Sequence, residues 1–309
     1  MKKSWLIVVG AIILAGLGFY LSGRGMLHGF LKSEIAFQGR PASYWRGQLL
    51  EQDPAVRQTA RNTLTAGGAE ALPVVEKLLS PQDGDDWTSA EVRWTAAEIL
   101  GQIGKAAKPA LPALMAALRD KDQQVRSVAA KTLGDLGSDA QEAVPALAEM
   151  LSTTDVIPAA RALASIGFSA REAVPALIKL LNHKEGDVRW NAARALGDIG
   201  PEAKVAVPKL IELLADPDAG VREHAAESLG LMGTESISAI PRLIETLKDK
   251  EYKVRRDAVR SLGQIGPAAK DAIPAVKELA KDSSNVVREA AAASLKQIDP
   301  KNYTNTSTK

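Results

Sequence analysis

VRSVAAKTLGDLGSDAQEAVPALAEMLSTTD, residues 125–155, decides the fold, because nearly every feature in it returns at a fixed distance along the chain. The arginine of its Val-Arg pair, Arg126, recurs as Arg57, Arg93, Arg189, Arg222, Arg255 and Arg288, with Val156 filling the slot between Arg126 and Arg189. Successive steps are 36, 33, 30, 33, 33, 33 and 33 residues. Proline keeps the same register. Pro112, Pro145, Pro175, Pro208, Pro241 and Pro274 each follow their slot by 19 residues, and Pro73 follows Arg57 by 16. A period of about 30 to 40 residues belongs to stacked helical repeats, where each unit contacts only its neighbours, so the length of 309 residues does not have to be divided into globular domains.

Within the unit, Val125, Ala129, Leu133 and Leu136 are spaced by four, four and three, one stripe of a first helix, here called A. Helix A ends in Leu-Gly-x-hydrophobic-Gly, whose second glycine (Gly104, Gly137, Gly167, Gly200, Gly233, Gly266) suits a left-handed C-cap. The earlier glycine, as at Gly101 and Gly134, lets neighbouring backbones approach. After a polar turn, Val-Pro-x-Leu-x-x-x-Leu-Leu puts Leu147 and Leu151 on one face of a second helix, B, with the proline either at its start or at a kink in its first turns. An acidic residue stands six before the arginine at Glu51, Asp120, Asp216, Asp249 and Asp282, so an aspartate-to-arginine ladder between units is expected.

With these markers the units resemble HEAT repeats of the subtype first named for phycobilisome lyases, over about residues 41–299. FQGRPASYWRGQLLEQDPAVRQTARNTL, from Phe37, also resembles the opening of many bacterial exported repeat proteins, with Trp45 on a capping half-repeat. The resemblance implies an all-α solenoid, a right-handed superhelix whose B helices line the concave face. Seven A and B pairs are expected, between a lone helix at about 42–52 and another at about 286–298. The expected organisation is a hydrophobic segment at 1–23, a linker at 24–40, the repeat domain at 41–299 and a disordered polar tail at 300–309.

The hydrophobic share of 46% with only 4% aromatics, carried by Ala and Leu, is that of closely packed helices. A net charge of +2 offers no broad field for nucleic acid, and interleaved glutamates on helix B argue against a basic stripe. With no cysteine, disulfides, thiolate chemistry, Cys-based zinc sites and a lipobox are all excluded. Trp5–Leu21 is a run of 17 residues without charge behind Lys2 and Lys3, which reads as an uncleaved N-terminal membrane span with the repeats exported, or alternatively as a cleaved signal.

Catalytic motifs are scarce. The recurring Gly-x-x-Gly is the end of helix A, there is no phosphate-binding or nucleophile-elbow motif, and His28, His183 and His224 have no carboxylates at ligand spacing. No cofactor is expected. Neither is the di-iron chemistry of deoxyhypusine hydroxylase, because the chain has no His-Glu dipeptide. Asp83, Asp85 and Asp86 form either a solvated loop or a weak cation site. Candidate partner-binding residues are Trp94 and Trp190, placed to face outward from helix A, and Trp87 on the longest inter-unit loop. On helix B the slots one and four after proline add Lys179, Lys209, Glu212, Arg242 and Glu245. The expectation is a non-catalytic scaffold holding a protein or peptide on its concave face outside the cytoplasm. A bilin-lyase-like or oxidoreductase-type protein is the alternative.

Overall fold

A computed structural model describes residues 35–80 and 89–303. A two-residue strand pair opens it, β1 (Ala36–Phe37) against β2 (Arg40–Pro41). The turn between them holds Gln38 at φ 50° and Gly39 at φ 70°, the backbone that tight hairpins demand. Phe37 is buried, with its ring 5.7 Å from that of Trp45. The end of the expected linker is therefore structured, because an aromatic inside it has a core to join.

Helix α1 (Ala42–Leu49) follows, then seven A and B pairs. These are α2 (Pro54–Ala66) with α3 (Leu72–Leu79), α4 (Ala90–Ile103) with α5 (Leu111–Ala117), α6 (Gln123–Asp135) with α7 (Val144–Met150), and α8 (Val156–Ile166) with α9 (Val174–Leu180). The last three are α10 (Gly186–Ile199) with α11 (Val207–Leu213), α12 (Ala219–Leu231) with α13 (Ile240–Thr246), and α14 (Tyr252–Ile265) with α15 (Ile273–Glu278). Helix α16 (Asn285–Ile298) closes the array, and α17 (Pro300–Tyr303) extends it. The start of the expected disordered tail is thus a helical turn, held by Asn302 and Tyr303 donating backbone N–H groups to the Asp299 carbonyl.

From α4 to α14 each A helix turns into a seven-residue 3-10 segment at its terminal glycine, as in Gly104–Ala110, whereas α2 is followed by the shorter Gly68–Glu70. Gly104 has φ 68° and ψ −138°, and Gly200 has φ 80° and ψ −143°. The positive φ agrees with the expected glycine cap, but the ψ lies in a region still more confined to glycine than the left-handed helix. The prolines fall in the first turn of each B helix, where a missing N–H costs nothing. The stripe Val125, Ala129, Leu133 and Leu136 is buried together with Leu147 and Leu151.

Two sets of bonds run between units. Arg189 donates through Nε and Nη2 to Asp216, both at 2.8 Å, while its Nη1 reaches the His183 carbonyl at 2.8 Å. Arg222 with Asp249 and Arg255 with Asp282 repeat the pattern, and Arg93 with Asp120 is its most buried form, both side chains 2% exposed. Burial alone would push the Asp120 carboxyl up, but the Arg93 hydrogen bonds and charge outweigh it and hold it below the usual carboxylate range. The ladder breaks at unit four, where Val156 has no guanidinium to offer.

The second set joins A helices directly. Thr132, Ser228, Ser261 and Ser294 donate hydroxyls to the carbonyls of Ala97, Ala193, Ala226 and Val259, each 35 residues earlier. Gly134 shows how close these helices come, since a Cβ there would stand 3.0 Å from Ala162 Cα. Successive A helices are more intimately packed than successive B helices. In any stack that bends, the more closely spaced layer is the inner one. The concave face therefore falls to the A helices and not, as the resemblance implied, to the B helices.

The expected membrane-anchored localisation is corrected. No helix among the described residues is long and apolar enough to cross a membrane. The longest have 14 residues, about 21 Å at ~1.5 Å per residue, against the roughly 20 apolar residues a span requires. Residues 5–21, on which that expectation rested, lie outside the described residues.

Candidate interaction surfaces

The residue after each ladder arginine lies on the edge of the A layer, where the next unit's helix is close. Trp94 and Trp190 are consequently half-buried and packed against the core, not projecting outward. The Arg61 guanidinium stands 5.2 Å from the Trp94 ring centre, and Arg61 is itself held by Glu98 and Thr95, each at 2.9 Å. Trp190 is stacked on His224 with centroids 4.9 Å apart and planes 21° from parallel, and Arg161 approaches the ring at 5.8 Å. Its indole N–H donates to Asp187 at 3.1 Å. Each tryptophan is thus clamped by a cation from the preceding unit, which fixes its orientation while leaving part of the ring in solvent.

The same row carries paired charges. Arg256 makes two bonds to Asp257 and one to Glu223, and these hold its guanidinium well above its ordinary value. Glu227 is lowered by its hydrogen bond to His224, while burial, aided by Glu227, raises Asp198. This gathers ionisable groups from neighbouring units, but they satisfy one another. Among the described residues no cluster of three or more His, Asp or Glu could hold a metal ion.

On the B layer the two slots after proline find each other. Lys209 pairs with Glu212 at 2.5 Å, and Arg242 pairs with Glu245. Lys179 is exposed. These charges are largely neutralised within single helices, as residues three apart on a helix allow. Trp87, Asp83, Asp85 and Asp86 lie outside the described residues. Sequence reasoning missed the hydroxyl row of Thr132, Ser228, Ser261 and Ser294, although its constant distance from the preceding unit's glycine is visible once sought.

The geometry defines an all-α solenoid of paired helices presenting two long faces, a fold suited to protein interaction. The chain belongs to the HEAT repeats: the model of that family matches residues 85–164, 157–230 and 207–296, more than half of the chain. No curated protein matches it in sequence. Among solved structures it is similar to an engineered protein at 26% identity and a TM-score of 0.56, covering 84% of this chain and 78% of that one. It is also similar to importin β, at 16% identity and a TM-score of 0.53, over 81% of this chain and 37% of that one. The complex of CpcE and CpcF of phycocyanin lyase from a Nostoc species aligns at 24% identity, 80% and 97% coverage and a TM-score of 0.43.

Proposed function

We propose that the chain is a non-catalytic scaffold that holds a protein or peptide along the row of A helices. The observation that carries this reading is the pair of half-buried indoles, Trp94 and Trp190, each preset by a cation of the neighbouring unit on the more closely spaced layer. Oriented tryptophans lose little freedom on binding and so make effective anchors. The B-layer charges at Lys209, Glu212, Arg242 and Glu245 are partnered in place and would contribute rim contacts.

Affinity capture with the full chain, compared with Trp94→Ala/Trp190→Ala and with Lys209→Glu/Arg242→Glu, tests the assignment. The tryptophan pair should lose at least one partner that the wild type retains, and the charge pair should keep it at lower salt. Recovery of the same proteins by all three would overturn the proposal.

A further inference from the structure

The short step between Arg126 and Val156 removes part of the first turn of the fourth A helix, so that α8 has 11 residues where α6 has 13. Beside it, at the junction of units three and four, lies a cavity of about 350 Å³ with Leu118, Ala146 and Met150 in its wall. Two charges in that wall are only half used. At later junctions Asp216, Asp249 and Asp282 each accept from both Nε and Nη2 of one arginine. Here Arg126 gives only Nε to Asp155 Oδ2, at 2.6 Å, its Nη1 being taken by the carbonyls of Asp120 and Lys121. Asp155 is 2% exposed, and its Oδ1 is buried with no hydrogen-bond partner. Nor does its side chain cap α8.

A buried carboxylate oxygen without a donor is costly, and a partner that supplies one is favoured. Across the cavity Arg119 and Glu149 pair at 2.6 Å with side chains 70% and 68% exposed, an ion pair that exchanges partners at little cost. Asp120, also in the wall, is already committed to Arg93. That leaves two guanidinium groups and two carboxylates around an apolar patch. A lone anion meets Asp155 and Glu149, a lone cation meets Arg119 and Arg126, and only a ligand carrying both charges suits all four.

We propose that this cavity binds a free α-amino acid with a short aliphatic side chain. The ammonium donates to Asp155 Oδ1 and Glu149, the carboxylate accepts from Arg126 Nη2 and Arg119, and the side chain lies against Leu118, Ala146 and Met150. The site is independent of the protein-binding row.

Titration calorimetry of the full chain with L-alanine and L-valine tests it, with acetate and methylamine as the separate halves. Saturable binding of one amino acid per chain is expected, weakened about tenfold or more by Asp155→Asn, since charge-assisted hydrogen bonds are the strong ones. Glu149→Gln, at an exposed position that leaves folding intact, should weaken it in the same direction, and Glu212→Gln, its counterpart on another unit, should not. Absence of saturable binding, equal binding by the Glu149→Gln chain, or acetate or methylamine binding as tightly as the amino acid would each overturn the assignment.

Discussion

Ser228 donates its hydroxyl to the carbonyl oxygen of Ala193, 2.8 Å away on the preceding A helix, across the bare backbone of Gly197. Glycine is required for the contact, because a Cβ at Gly197 would stand 2.8 Å from Ser228 Cα, an approach that only a shift of the whole helix relieves. Gly197→Ala should therefore destabilise the chain by about 1–3 kcal/mol, the usual cost of overpacking. Ser228→Ala should cost only about 1 kcal/mol, the net worth of one hydrogen bond. Urea unfolding of the two variants checks this, and an order reversed between them would show that the hydroxyl, not the close approach, governs the junction.

The ladder predicts a contrast between two aspartate or glutamate truncations. Asp120→Ala leaves the Arg93 guanidinium buried without its carboxylate and should cost about 3–5 kcal/mol. Glu149→Ala breaks the exposed pair with Arg119 and should cost less than about 1 kcal/mol. Thermal denaturation at matched salt separates them.

Asp120, Asp249 and Asp282 are all held below the ordinary carboxylate range in the folded chain, because the hydrogen bonds and charge of their arginine partners, with a backbone N–H to each, outweigh the opposing effect of burial. As pH falls, the unfolded chain takes up these protons first. The stability they supply is complete above about pH 5 and is lost as pH drops through the unfolded-state value and then the lower folded-state values. The stability gap between wild type and Asp249→Asn should accordingly shrink between pH 7 and pH 3. A gap that widened toward acid would contradict the pairing.

Unit four should be the weak point in the array. Ala162 and Ala195 occupy the slots where Thr132 and Ser228 carry hydroxyls, and Val156 interrupts the arginine ladder. Amides of 156–166 should exchange with deuterium faster than those of 219–231, because fewer interactions between units oppose their local opening. Exchange no faster in 152–168 than in the flanking units would remove this distinction.

Much of the fold is legible in the chain because a repeat writes the same constraint many times. Glycine at the end of helix A, proline at the start of helix B and apolar residues at helical spacing are local requirements. Each depends on the backbone geometry of its own residue, and seven copies separate them from chance. An aspartate-to-arginine ladder between units is legible for the same reason, since both residue types recur in register, and the structure sets its pairing, as of Arg189 with Asp216.

The surface was less legible. Trp190 was expected to project outward, yet it lies stacked on His224, 34 positions later and in the next unit. Helical angle alone places a side chain relative to its own axis, and whether that side chain meets solvent or a neighbour depends on how closely the next helix approaches. The unpartnered Oδ1 of Asp155 belongs to the same category, because it arises from a turn that one unit lacks and an arginine that another unit supplies. The sequence by itself determined the period, the helix pairs and their caps, all governed by interactions within a few residues. Only the tertiary structure decided which layer is the more tightly spaced, which charges are satisfied and where a cavity opens, since those follow from distances between units that no local pattern encodes.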